Sequence, residues 1–279
     1  MTRLIIPGFR FHKCSPKTMH CGRLYDRDIS IPFAKKRYQA RKLRIWVPDD
    51  FSLEEKIGVI YMVDGQNAVD HNLTAYGEWD LEDHLKNLEN EGYPRFIIVG
   101  IDCINNGIGR AREYTPYDMD KNGWNRANPV YGDDFSSFIV EEILPLINKT
   151  FNIEQELVGF CGSSMGGLFT FHMCAKYPDI FKFALPLSPA FEGYKDKTLI
   201  DMFNNYHLDG HTENRWVFYM GGADPLERKL TTNCEKVVDM MYKAGFNDEN
   251  LLYIKDESKI HHETAWSDVF ESCMRFILR

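Results

Sequence analysis

Two adjacent serines, Ser163 and Ser164, sit in a glycine knot, Gly162-Ser163-Ser164-Met165-Gly166. The knot follows an apolar run, LVGFC (157–161), and opens a helix-like segment, GGLFTFHMCAKY (166–177). A serine at the centre of G-x-S-x-G, in a strand–turn–helix context, is held at the tip of a sharp turn with its hydroxyl exposed as a nucleophile. The residues two before and two after must be tiny for the strand and helix to approach. Counting from those glycines selects Ser164, and leaves Ser163 to satisfy backbone groups. The helix start lends positive partial charge near the Ser164 hydroxyl, and the backbone N–H of Met165 is placed to bind an oxyanion.

A serine hydroxyl needs a base, and the base needs an orienting acid. Such turns take them from later strands, in the chain order Ser, Asp/Glu, His. After RWVFYM (215–220), the segment GGADPLE (221–227) offers Asp224 at a glycine-loosened strand end, with Glu227 as the rival acid. After LLYIK (251–255), the segment DESKIHHETAW (256–266) offers two histidines, His261 and His262. Asp256 and Glu257 lie near these histidines but on their own strand end, which is the wrong place for the acid. The chemistry that this set supports is covalent acyl transfer from an ester, with no metal and no cofactor.

The elements that must position these residues are legible as short apolar runs: LRIWV (43–47), IGVIYMV (57–63), FIIVGI (96–101), LVGFC, FKFALPL (181–187), RWVFYM and LLYIK. Continuous runs of this kind suit strands covered on both faces. Helix-like segments separate them at 78–92, 133–151, 166–177, 231–246 and about 265–278. Pro145 is expected to kink or end the second of these. Alternation of strands and helices predicts a mostly parallel sheet flanked by helices. Residues 1–50, with ISIPF and LRIWV, read as antiparallel edge strands, and 51–279 as the catalytic core of a single domain.

Seven scattered cysteines without a CxxC pair argue against a cysteine zinc site and fit reduced thiols of a cytoplasmic protein. The N-terminus does not read as a signal peptide, and no window approaches 18 consecutive apolar residues. Charge is uneven: residues 1–44 hold 12 Lys/Arg against 2 Asp/Glu, in a chain of net charge −8. A basic arm can bind nucleic acid. Its cations are dispersed, so the expectation is pairing with the acidic body of the same fold or of a sister subunit, with no nucleic-acid or membrane partner. A homo-oligomer is conceivable.

Several stretches together, YMVDGQNAVD (61–70), GID…REYTP (100–116), GSSMGGL (162–168), LPLSPAF (185–191) and HHETAW (261–266), resemble the esterase family of α/β-hydrolases. That family takes in esterase D-like enzymes, enterochelin-type siderophore esterases, and feruloyl or acetyl xylan esterases. The similarity covers roughly residues 40–278. It implies the α/β-hydrolase fold and a serine carboxylesterase working through Ser, Asp/Glu and His. Relatives carry H-x-E-x-x-W at the histidine, which favours His261, five before Trp266. Their acid follows a glycine pair, which favours Asp224. Their DGQN-like loop supplies a second oxyanion donor, implying the Gln66 backbone N–H, with Asn67 beside it as a candidate substrate contact. Their R-x-x-E-Y matches Arg110, Glu113 and Tyr114, where Arg110 is a candidate contact for an anionic substrate group. Trp79, Trp124 and Tyr117 are candidate pocket aromatics. The resemblance leaves the substrate open. It spans an acyl or feruloyl/acetyl sugar ester, a siderophore ester, a thioester of the esterase D kind, or none at all in an inactive binding member of the fold.

Overall fold

The computed structural model of the chain describes residues 4–14, 19–33, 37–69, 77–104, 107–121 and 125–279. Among these residues, nine strands form one sheet in the order β1-β2-β3-β5-β4-β6-β7-β8-β9. β1 (Arg10–His12), β2 (Arg23–Phe33) and β3 (Arg37–Val47) pair antiparallel, and β3 also meets β5 (Phe96–Ile101) antiparallel. From β5 onward, β4 (Lys56–Val63), β6 (Asn152–Ser163), β7 (Phe183–Leu187), β8 (Arg215–Gly221) and β9 (Leu251–Asp256) run parallel. This is the α/β-hydrolase arrangement expected from the sequence, with the antiparallel strands on one edge.

The central strands are apolar throughout because both faces are covered. Along β4, Val59, Tyr61 and Val63 join one core cluster, whereas Ile60 and Met62 join the other. The helices that cover them are α1 (Gly65–Ala68), α2 (Leu81–Asn90), α3 (Gly107–Tyr114), α4 (Gly132–Phe138), α5 (Leu144–Thr150), α6 (Met165–Lys176), α7 (Asp196–Asn204), α8 (Pro225–Lys243) and α9 (Glu263–Ile277). The elbow helix α6 is buried on every side. On one side its Phe169 stacks on Phe135 at 5.1 Å, and Phe171 meets Phe191 edge-on at 5.2 Å.

Pro145 neither ends nor breaks its helix. A wider π turn over Ile139–Ile143 joins α4 to α5 just before it. The widened turn removes the clash between the proline ring and the carbonyl one turn back. Helix α8 begins at Pro225, six residues before the expected start, because Asp224 caps it there. The short α1 and α3, which follow β4 and β5, carried no periodic signal.

Four of the described N-terminal cations pair with acids of the same chain. Arg41 grips Glu113 through two bonds of 2.5 and 2.6 Å, and Arg44 meets Asp102 at 2.6 Å. Arg10 and Lys42 converge on Asp26 at 2.8 and 2.9 Å.

Candidate active site

β6 ends at Ser163, and Ser164 turns the chain into α6 with φ 60° and ψ −121°. A non-glycine residue rarely occupies this region, and the strain holds its side chain at the tip of the turn. The glycines have the steric role that the pattern assigns them. A Cβ on Gly162 would stand 2.7 Å from the Gly166 carbonyl oxygen, and one on Gly166 would stand 3.0 Å from a Val63 methyl. The turn is tied to the end of β7: the Ser164 N–H donates to the Leu187 carbonyl at 2.9 Å, and the Ser164 carbonyl accepts from Ala190 at 3.0 Å.

The loops after β8 and β9 are laced together. The Lys259 carbonyl accepts from the N–H groups of Gly222 and Ala223 at 3.0 and 2.9 Å. Asp224 caps α8, accepting from Leu226 and Glu227 at 2.7 and 3.0 Å, and its other oxygen accepts from the His261 backbone N–H at 2.5 Å. Burial pushes the Asp224 carboxyl up, but the amides of His261, Glu227 and Leu226 outweigh it and hold it below the usual value.

The expected Asp224–His261 side-chain pair is therefore corrected. The carboxylate on the imidazole is that of Glu227, whose Oε1 lies 2.8 Å from His261 Nδ1. Its Oε2 accepts from the Gly221 N–H at 3.0 Å, and the residue is fully buried. The reason is local. With Asp224 at the N-cap, Glu227 stands in the first turn of α8, and its longer side chain reaches the histidine. The imidazole also meets Trp266, with ring planes perpendicular and centroids 5.0 Å apart, and the Trp266 Nε1 donates to the buried Ser188 hydroxyl at 3.0 Å. His262 caps α9, its Nδ1 accepting from Thr264 N–H at 3.3 Å.

Ser164 and His261 line one cleft of about 610 Å³, together with Asp64, Gln66, Asn67, Trp79, Arg110 and Glu263. Asp64, in the left-handed region at φ 56°, turns β4 into α1. Gly65 then passes against the backbone of β5, where a Cβ would stand 2.5 Å from the Gly100 carbonyl carbon. The Gln66 N–H lies in the first turn of α1, where amides have no partner one turn back. The Gln66 side chain is clamped at both ends to Cys103, donating to Sγ at 3.1 Å and accepting from its backbone N–H at 3.0 Å. Burial pushes the Cys103 thiol up to about 12, so it stays protonated.

The family described as "Putative esterase" matches residues 36–269 of the chain. The chain belongs to this esterase family. It is an ester-bond hydrolase, and the esterase is 21% identical to the uncharacterized protein YbbA of Bacillus subtilis (strain 168), over 85% of this chain and 92% of that protein. Among solved structures, it resembles the feruloyl esterase module of Clostridium thermocellum, complexed with sinapinate, at TM-score 0.68 and 14% identity, covering 97% of this chain and 94% of that one. It also resembles the siderophore hydrolase EstA of Aspergillus nidulans at TM-score 0.66 and 17% identity, covering 95% and 97%.

Other candidates fall as follows. Arg110 of the esterase does not stand free for an anion: it makes two bonds to the Asp64 carboxylate, at 2.8 and 2.7 Å, and lies over the Tyr114 ring at 5.2 Å. Asn67 lines the cleft, and its backbone N–H closes the turn onto the Asp64 carbonyl at 2.7 Å. Trp79 also lines it, but is almost wholly buried and packs on Trp266 at 5.7 Å. Tyr117 packs against the core. Trp124 lies outside the described residues. Sequence reasoning missed the importance of Asp64 and Glu263; the acid in the turn after β4 and the acid within HHETAW were the available signals. No described helix is long and apolar enough to cross a membrane.

Proposed function

We propose that the chain is a serine carboxylesterase in which Ser164 is the nucleophile, His261 the base and Glu227 the orienting acid. The observation that carries this reading is the strained Ser164 turn sharing a cleft with a histidine whose Nδ1 is held by a buried carboxylate. Glu227 fixes the tautomer with the proton on Nδ1, which leaves Nε2 to take the Ser164 proton as Oγ attacks the ester carbonyl. The growing imidazolium then faces a carboxylate. The amides of Met165 and Gln66 bind the oxyanion, each worth on the order of 3 kcal/mol of barrier. His261 returns the proton to the leaving alcohol, and water cleaves the acyl-enzyme by the same route. The scheme needs a small ester and no cofactor.

The test is labelling with a fluorophosphonate probe, followed by turnover of 4-nitrophenyl butyrate. Wild type is expected to be modified at Ser164 and to turn over, while Ser164→Ala is expected to do neither. Full turnover by purified Ser164→Ala, or labelling elsewhere, would overturn the assignment.

A further inference from the structure

Glu263 is the first residue of α9 and lines the cleft. It is only 8% exposed. The other acids named at the site are engaged: Asp64 holds Arg110, Glu227 holds His261, and Asp224 holds backbone amides. Beyond its own backbone N–H, the Glu263 carboxyl has no hydrogen-bond or ion-pair partner among the described residues. Its residue lines the cleft, so a ligand bound there meets a carboxyl that no other described side chain holds. Gly77 packs over this corner, where a Cβ would stand 3.4 Å from that of Glu263. Burial raises its pKa, with the nearby Asp64 charge adding to the effect and the two histidines opposing it. A carboxyl so placed accepts a hydrogen bond from a donor on a bound ester, and a hydroxyl supplies one.

We propose that Glu263 selects the substrate, binding a hydroxyl group carried by the ester beside its scissile bond. This rests on the reading of the cleft as the ester site. Plain alkyl esters leave the carboxyl unsatisfied, and hydroxylated ones satisfy it. A site built to bind a hydroxyl discriminates strongly against the analogue that lacks it.

The experiment compares matched pairs: propyl acetate against glycerol monoacetate, and 4-nitrophenyl butyrate against its 3-hydroxy and 3-amino analogues. Turnover is measured on wild type, and binding by calorimetry on Ser164→Ala, which needs no chemistry. In at least one pair the hydroxylated ester is expected to be favoured by about tenfold or more. Glu263→Leu is expected to abolish that ratio, largely through KM, and Glu263→Gln to keep part of it. Equal binding of every pair, or a preference that survives Glu263→Leu, would overturn the proposal. So would a preference for the amino analogue that Glu263→Gln abolishes, since that would make Glu263 an ion-pairing carboxylate. Failure of wild type to label with fluorophosphonate would count against the esterase mechanism alone, since binding to Ser164→Ala reads the hydroxyl contact separately.

Discussion

Glu227 Oε1 lies 2.8 Å from His261 Nδ1, while Asp224, three residues earlier, holds only the backbone of the same histidine. The two acids thus divide one task. Asp224 closes the joint between the loops after β8 and β9 and starts α8, and Glu227 orients the ring. Substitution separates them. Glu227→Gln keeps the shape but cannot stabilise the imidazolium, and is expected to lower kcat on the order of a hundredfold or more with little change in KM. Asp224→Ala removes a helix cap, which costs about 1–2 kcal/mol of stability, and is expected to lower kcat less than tenfold. Rates and urea midpoints measured on both variants decide the matter; the reverse ranking in kcat would return the acid to Asp224.

How far the sequence reaches is visible in this pair. Periodicity and glycine placement read the strands and the elbow because those depend on local sterics and on burial over both sheet faces. The loop after β8 offers two acids that are equivalent to a spacing argument. What separates them is the N-cap of α8, a tertiary joint to the His261 backbone that no local pattern encodes. Arg110 was open for a similar reason. Its partner Asp64 lies 46 residues away, and only the parallel pairing of β4 with β5 brings the two together.

The Asp64–Arg110 pair predicts how the loop after β4, the proposed oxyanion loop, is held. Tyr114 adds a third contact, its hydroxyl accepting from the Asp64 N–H at 3.0 Å. Arg110→Met leaves a carboxylate without its partner at the turn into α1. The expected result is a loss of about 1–3 kcal/mol of stability and a lower kcat for neutral and anionic esters alike, through misplacement of the Gln66 amide. If Arg110 instead contacted substrate, the loss would fall on KM and on anionic esters only, so kinetics with a neutral and a carboxylate-bearing ester distinguish the two.

Gly65 predicts a second effect at the same loop. With the Gly100 carbonyl carbon 2.5 Å from where a Cβ would sit, Gly65→Ala must push α1 away from β5. Overpacking of this kind typically costs about 1–3 kcal/mol. The melting temperature and kcat are expected to fall together, whereas Gly92→Ala, at the surface end of α2 with nothing near its Cβ position but with φ 92°, is expected to lower the melting temperature through backbone strain and leave kcat unchanged. Equal kcat for Gly65→Ala and wild type would show that the loop's position does not govern turnover.

His172, on the buried elbow helix, predicts an acid limit to stability. Its Nδ1 and Nε2 meet the Tyr206 and Ser136 hydroxyls at 2.7 and 3.2 Å, and it is 1% exposed. Burial, helped by the Lys176 charge and opposed by Asp133, pushes its pKa down to about 3. The unfolded chain takes up this proton near pH 6.5, but the folded chain does not until about pH 3. Stability from this group is therefore present above about pH 6.5 and is lost as pH falls through that window. The slope is about 1.4 kcal/mol per pH unit, on the order of 2 kcal/mol by pH 5. His172→Gln keeps a polar side chain but removes the titration. Its deficit relative to wild type, read from urea midpoints at pH 7, 6 and 5, is expected to shrink as pH falls; a constant deficit would show that His172 takes up its proton as readily in the fold as in the unfolded chain.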